Sequence, residues 1–195
     1  MNTVEAVEEI VVNELFRQRR SGRAYDATKP VTKADLQALL EAARWAPSGS
    51  NAQPWRFVVG VKGDGVYEKL VELLMPFNKM WAQQAPVLLL SAFQNFRVNQ
   101  AGERIPYPNF LHDLGMANLS IAIEATHRGL MAHMMAGFNH EAAGHLIQAE
   151  TQGLGLGPMM SIGYEGDVSQ IDEELQKREK APRVRKPVEE LLLKI

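Results

Sequence analysis

Apolar residues at the start of the chain recur at three- and four-residue steps: Val4, Val7, Ile10, Val11 and Leu15 form one stripe, the pattern of an amphipathic helix over residues 4–19. A second helix is predicted to open at Thr32, where Asp35 three residues on forms a capping box. It carries Leu36, Leu39, Leu40 and Ala43 inward and stops before Pro47. RFVVGV at 56–61 reads as a buried strand and residues 66–74 as a short helix. PVLLLSAF at 86–93 has an unbroken apolar run, as strands covered on both faces do. The longest helix is predicted over 110–128, where Leu114, Ala117, Ile121, Ala122 and Ala125 place small residues along a face suited to tight burial. An extended stretch at 130–136, a helix over 139–149, a strand PMMSIGY at 158–164 and a charged helix near 170–179 follow. Stretches rich in Gly and Pro at 102–108 and 153–158 are expected to be loops, the first a candidate substrate lid. The tail VEELLLKI must cover Leu191, Leu192, Leu193 and Ile195, either on its own core or on a neighbour.

At 195 residues, with 46% hydrophobic and 23% charged residues, the chain has the size and composition of one globular domain spanning 1–195. No window approaches a membrane span and the start MNTVEAVEEI lacks the features of a signal peptide, so a cytoplasmic protein without a membrane partner is expected. The absence of cysteine removes disulfides, thiolate nucleophiles and Cys-ligated metals together.

The formal net charge is only −2, yet RQRRSGR at 17–23 and KREKAPRVRK at 177–186 hold ten of the 21 Lys and Arg residues. A solvated helix end accounts for such a run in part, since cations suit a helix C-terminus. Nucleic acid fits poorly: the rest of the chain is acidic, and no aromatic stacking pattern accompanies the arginines. A compact anion fits better.

Other motifs fail on geometry. GLGLG at 153–157 lacks the G-x-G-x-x-G spacing of a dinucleotide fingerprint. His140 and His145 stand five apart, roughly 500° around a helix, and do not share a face as metal ligands would. His112 and Asp113, adjacent on a helix, point about 100° apart with no nucleophile beside them. Met131, Met134 and Met135 read as pliable filler. No acid, base, nucleophile or metal set stands out, so any chemistry falls to a cofactor.

RRSGRAYD at 19–26, AARWAPSGSNAQPWRFVV at 42–59 and APRVRKPVEELL at 181–192 together resemble the nitroreductase family of FMN flavoproteins. The block A-P-S-x-x-N-x-Q-P-W is long and specific, and the resemblance runs nearly end to end. It implies an α+β fold, a central, mainly antiparallel sheet wrapped by helices, in an intertwined homodimer with FMN in two interfacial pockets and residues 183–195 reaching the partner subunit. It further implies that Arg19, Arg20, Ser21 and Arg23 meet Arg183 and Arg185 around the FMN phosphate, Arg19 and Arg23 mattering most and Arg20 also touching the flavin's polar edge. Pro47, Ser48, Gly49, Ser50, Asn51 and Gln53 would serve the ribityl and pyrimidine side from the other subunit. Met134, Met135, Ala136 and Gly137 would lie beside the isoalloxazine, although MMAGF departs from the family's usual stretch there, and Asn78 would add a polar contact.

The activity implied is ping-pong transfer from NAD(P)H through FMN to a nitroaromatic, quinone or similar conjugated acceptor, with no obligatory catalytic side chain. Phe77, Trp81, Phe96 and the 102–108 stretch are candidates to line the acceptor slot. Other flavin chemistry, such as dehalogenation or flavin destruction, and a non-catalytic flavin-binding role remain open on the sequence, as do the acceptor and the preferred pyridine nucleotide.

Overall fold

The computed structural model describes residues 12–193. Most of the stripe expected for the first helix therefore lies outside the described residues; within them, helix α1 covers Glu14–Gln18, capped by the Asn13 side chain. Helix α2, Lys33–Arg44, starts as the capping box requires: Thr32 Oγ1 accepts from the Asp35 N–H at 3.0 Å. The chain continues through β1 (Trp55–Val61), α3 (Gly65–Leu73), α4 (Pro76–Ala82), β2 (Val87–Gln94), β3 (Phe96–Val98) and β4 (Arg104–Pro106). Helix α5 (Phe110–His127), β5 (Leu130–Met135), α6 (His140–Leu146), α7 (Ala149–Gln152), β6 (Leu154–Tyr164) and α8 (Glu173–Lys180) complete it.

Four strands form one antiparallel sheet in the order β1-β2-β6-β5. Because side chains alternate along a strand, each face of this sheet builds its own core. On one face, Val87, Leu89, Met160 and Ile162 pack with Leu39 and Ala43 of α2 and the small residues Ala117, Ala122 and Ala125 of α5. On the other, Leu88, Leu90, Met131, Met135 and Met159 pack with α3, α4, α6 and Leu175 of α8. The central strand β2 is buried along nearly its whole length, as its unbroken apolar run predicts.

Four expectations are corrected. Residues 56–61 form an edge strand that is only partly covered, because among the described residues β1 pairs with β2 alone. The helix expected over 139–149 breaks where Gln148 adopts a left-handed backbone, giving α6 and α7. Residues 104–106 pair with β3 in a hairpin rather than forming a free loop. The stretch GLGLGP opens β6. Its alternating glycines make room for neighbours: a Cβ at Gly155 would lie 2.1 Å from the Phe93 ring, and one at Gly157 2.4 Å from Leu114. Pro158 is tolerated in this central strand because the β2–β6 register shifts between Leu90 and Ala92, a bulge where the Ser91 hydroxyl donates to the Pro158 carbonyl at 2.5 Å.

Candidate active site: an arginine cavity and a strained loop

The basic runs, about 160 residues apart in sequence, meet in space. Arg19, Arg20, Ser21 and Arg23 share a cavity of about 460 Å³ with Arg178, Glu179, Ala181, Arg183 and Arg185. Burial and the nearby charges of Arg183 and Arg185 hold the Arg19 guanidinium below its ordinary pKa. Arg19 lies within reach of the Ser21 hydroxyl at 3.4 Å, and Arg183 donates to the Arg17 carbonyl. Crowded like charges of this kind are relieved by a compact polyanion, which planar guanidinium forks hold bidentately.

The loop between α2 and β1 has a different character. Ser50, Asn51 and Gln53 all take positive φ, of 52°, 55° and 47°. Non-glycine residues seldom do so, and each costs on the order of 1–3 kcal/mol unless surrounding contacts enforce it. Those contacts are present. Ser48 Oγ accepts from the Gln53 N–H at 3.0 Å, and Gln53 reaches back to the Asn51 carbonyl at 3.1 Å. The buried carboxylate of Asp113 accepts from the Gly49 N–H at 3.2 Å and from the Tyr107 hydroxyl, and pairs with His112 Nδ1 at 3.1 Å. Ser50, Asn51 and Ala52 line a cavity of about 320 Å³ between this loop and β3; Pro47 is exposed.

At the end of β5, Met135 belongs to the core, Met134 is half-buried, and Ala136 is exposed. The Gly137 carbonyl accepts from the Met75 N–H at 3.1 Å and from the Asn78 side chain at 3.0 Å, which ties Asn78 to the 134–137 stretch. Phe77 contributes to the arginine side, with Arg178 stacked 4.9 Å from its ring centroid. Trp81, by contrast, is an interior residue, stacked between Tyr25 and His133. Phe96 lies under Arg104 near β1, and a larger cavity there, about 570 Å³, holds none of the arginines of 17–23 or 177–186.

Within one chain, then, the arginines come together, while Ser50, Asn51 and Ala52 of the 47–53 loop line a separate cavity. Three buried polar residues were not predicted as part of the site: Glu179, which holds Arg20 and Arg23; Asp113, which holds the loop; and His133, whose Nδ1 bonds the Gly22 carbonyl at 3.0 Å. Asp113 and His133 left a trace in sequence, each a polar residue in phase with apolar positions of its element. Glu179 left none, lying within a charged run. The His112–Asp113 contact forms despite the helical offset because the pair is adjacent and the imidazole lies exposed over the carboxylate.

A sequence profile of the Nitroreductase family matches residues 16–180. The chain belongs to the nitroreductase family. A solved oxidoreductase containing FMN superposes with a TM-score of 0.89 at 34% identity, over 99% of this chain and 96% of that one. A nitroreductase family protein of Clostridium difficile 630 gives 0.68 at 25% identity, over 92% and 95%. The major NAD(P)H-flavin oxidoreductase of Aliivibrio fischeri is 35% identical over 60 residues, 31% of this chain and 27% of that protein. The chain spans 22% to 38% of the length of curated relatives from Haemophilus influenzae, Bacillus subtilis and Staphylococcus haemolyticus. The α+β fold and antiparallel sheet are those of the nitroreductase family's solved members. Among the described residues, no helix is long and apolar enough to cross a membrane, and no group of residues is arranged to hold a metal ion.

Proposed function

We propose that this nitroreductase-family chain binds FMN and acts as an NAD(P)H-dependent oxidoreductase, in a homodimer whose interface completes each site. The observation that carries the reading is the cavity where Arg19, Arg183 and Arg185 crowd together with the Ser21 hydroxyl and, among the described residues, without a carboxylate of their own. That donor set fits a phosphate dianion. Bound there, FMN would supply hydride-transfer chemistry between NAD(P)H and a nitroaromatic, quinone or similar conjugated acceptor.

The chain's own residues bind and orient. Arg19, Ser21, Arg183 and Arg185 hold the phosphate, and Arg20 and Arg23 face the polar edge of the ring. The 134–137 backbone, fixed by Asn78 and Met75, lies beside the ring. Residues 47–53 approach from the other copy, and their separation from the arginine cavity within one chain supports that assignment. Apolar groups left uncovered support a partner as well: Phe16 on α1, Leu111 and Leu119 on α5, and Leu191, Leu192 and Leu193 in the tail are all more than 40% exposed. The unpaired edge of β1 offers a place for a partner segment to pair.

Anaerobic stopped-flow mixing of the flavin-loaded dimer with NADH and with NADPH tests the reading. Bleaching of the flavin band by at least one nucleotide, followed by recovery on adding a quinone, is expected. A flavin that neither nucleotide bleaches would leave only a binding role, and a protein that takes up no FMN would overturn the proposal.

A further inference from the structure

Among the described residues, six arginines line the cavity, but only one carboxylate does. The Glu179 side chain is 3% exposed. It reaches this depth because it lies one helical turn beyond Leu175, the buried anchor of α8, so both residues share the inward face. Its Oε2 accepts from Arg20 at 2.5 Å and its Oε1 from Arg23 at 3.0 Å, while Arg20 spans onward to Glu165 at 3.1 Å. A buried carboxylate is costly unless both oxygens are satisfied, and here two guanidiniums satisfy them. Arg178 is engaged outward by Glu174 at 2.7 Å. Arg19, Arg183 and Arg185 pair with no acid among the described residues.

We infer that Glu179 is a positioning residue that sorts the arginines into two tasks. Resting on the FMN reading above, it holds Arg20 and Arg23 for the flavin ring and leaves Arg19, Arg183 and Arg185 as the phosphate clamp. Arg23 is held from within: its Nε is buried and, among the described residues, has no hydrogen-bond partner, so its guanidinium is anchored by Glu179. The charge of Arg23 is already compensated, so it contributes less to anion affinity than the expectation from sequence assigned to it.

The test is a pair of titrations, FMN and riboflavin separately, on flavin-stripped full-length protein. For Arg183→Ala/Arg185→Ala, the preference for FMN over riboflavin falls at least tenfold while riboflavin affinity is unchanged. For Glu179→Gln, both flavins weaken about tenfold, the loss expected from misplacing charge-assisted hydrogen bonds, and the preference for FMN is kept or raised. Removing a negative charge beside the flavin also raises its midpoint potential in Glu179→Gln, a change that loosened packing alone does not dictate. Should Glu179→Gln fail to fold, Arg23→Lys keeps the charge, loses the fork, and carries the same prediction for the two affinities. Unchanged affinities and potential, or a selective loss of FMN with riboflavin intact, would overturn the inference while leaving the FMN reading standing. Wild-type protein that binds neither flavin overturns the reading itself.

Discussion

Behind the arginine loop, His133 donates its Nδ1–H to the Gly22 carbonyl and stacks on Trp81, with ring centroids 4.4 Å apart. Burial is the main cause that pushes its pKa down to about 4, and Arg23 and Arg19 add to the effect. The unfolded chain binds that proton at a higher pH, so the folded state is fully stabilised above about pH 6.5 and loses stability as pH falls toward 4. The loss amounts to about 3 kcal/mol by pH 4. Urea unfolding of wild type and His133→Phe between pH 4 and 7 checks this, since the variant lacks that part of the slope. Asp113 makes a second test at this scale. Asp113→Ala strips the Gly49 N–H and the Tyr107 hydroxyl of their shared acceptor, costs about 2–4 kcal/mol, and frees the 47–53 loop to relax its positive φ values. Thermal unfolding measures the first effect, and faster proteolysis within the loop measures the second. The arginines were legible in the sequence because they cluster and match a family pattern. Glu179 was not, since a Glu inside KREKA reads as part of a solvated face until the partners that bury it are known.

Among the elements, the capping box of α2, the buried run of β2 and the small-residue face of α5 were all readable, because each signal is local and its period is set by the backbone. The start of β6 was hidden for the opposite reason. Gly155 and Gly157 look like turn residues, but they are small to admit Phe93 and Leu114 from other elements, and Pro158 sits in a bulge that only the pairing with β2 creates. Gly157→Ala would set a methyl 2.4 Å from a Leu114 carbon and 3.2 Å from the Ser91 carbonyl. Leu114 is 2% exposed and has little room to yield. The substitution is predicted to destabilise the fold by about 1–3 kcal/mol in urea unfolding; a change below about 0.5 kcal/mol would show that the close contact does not constrain the strand.

For the molecule as a whole, one chain holds the two halves of the proposed site in separate places and leaves an apolar tail uncovered, with Leu193 92% exposed. In the sequence this tail was open to packing on its own core or on a neighbour, and only the family resemblance implied a partner; that a single copy keeps the arginines and the 47–53 loop apart was not legible there. Deleting residues 187–195 is predicted to weaken self-association at least tenfold by analytical ultracentrifugation and to lower flavin retention, even though every arginine of the cavity is still present. On the proposal above, two copies jointly enclose a flavin phosphate held by Arg19, Arg183 and Arg185. Native mass spectrometry of the purified protein incubated with FMN measures this most directly. The expected species is two chains carrying two FMN molecules; a single chain that retains no flavin would refute joint enclosure of the cofactor.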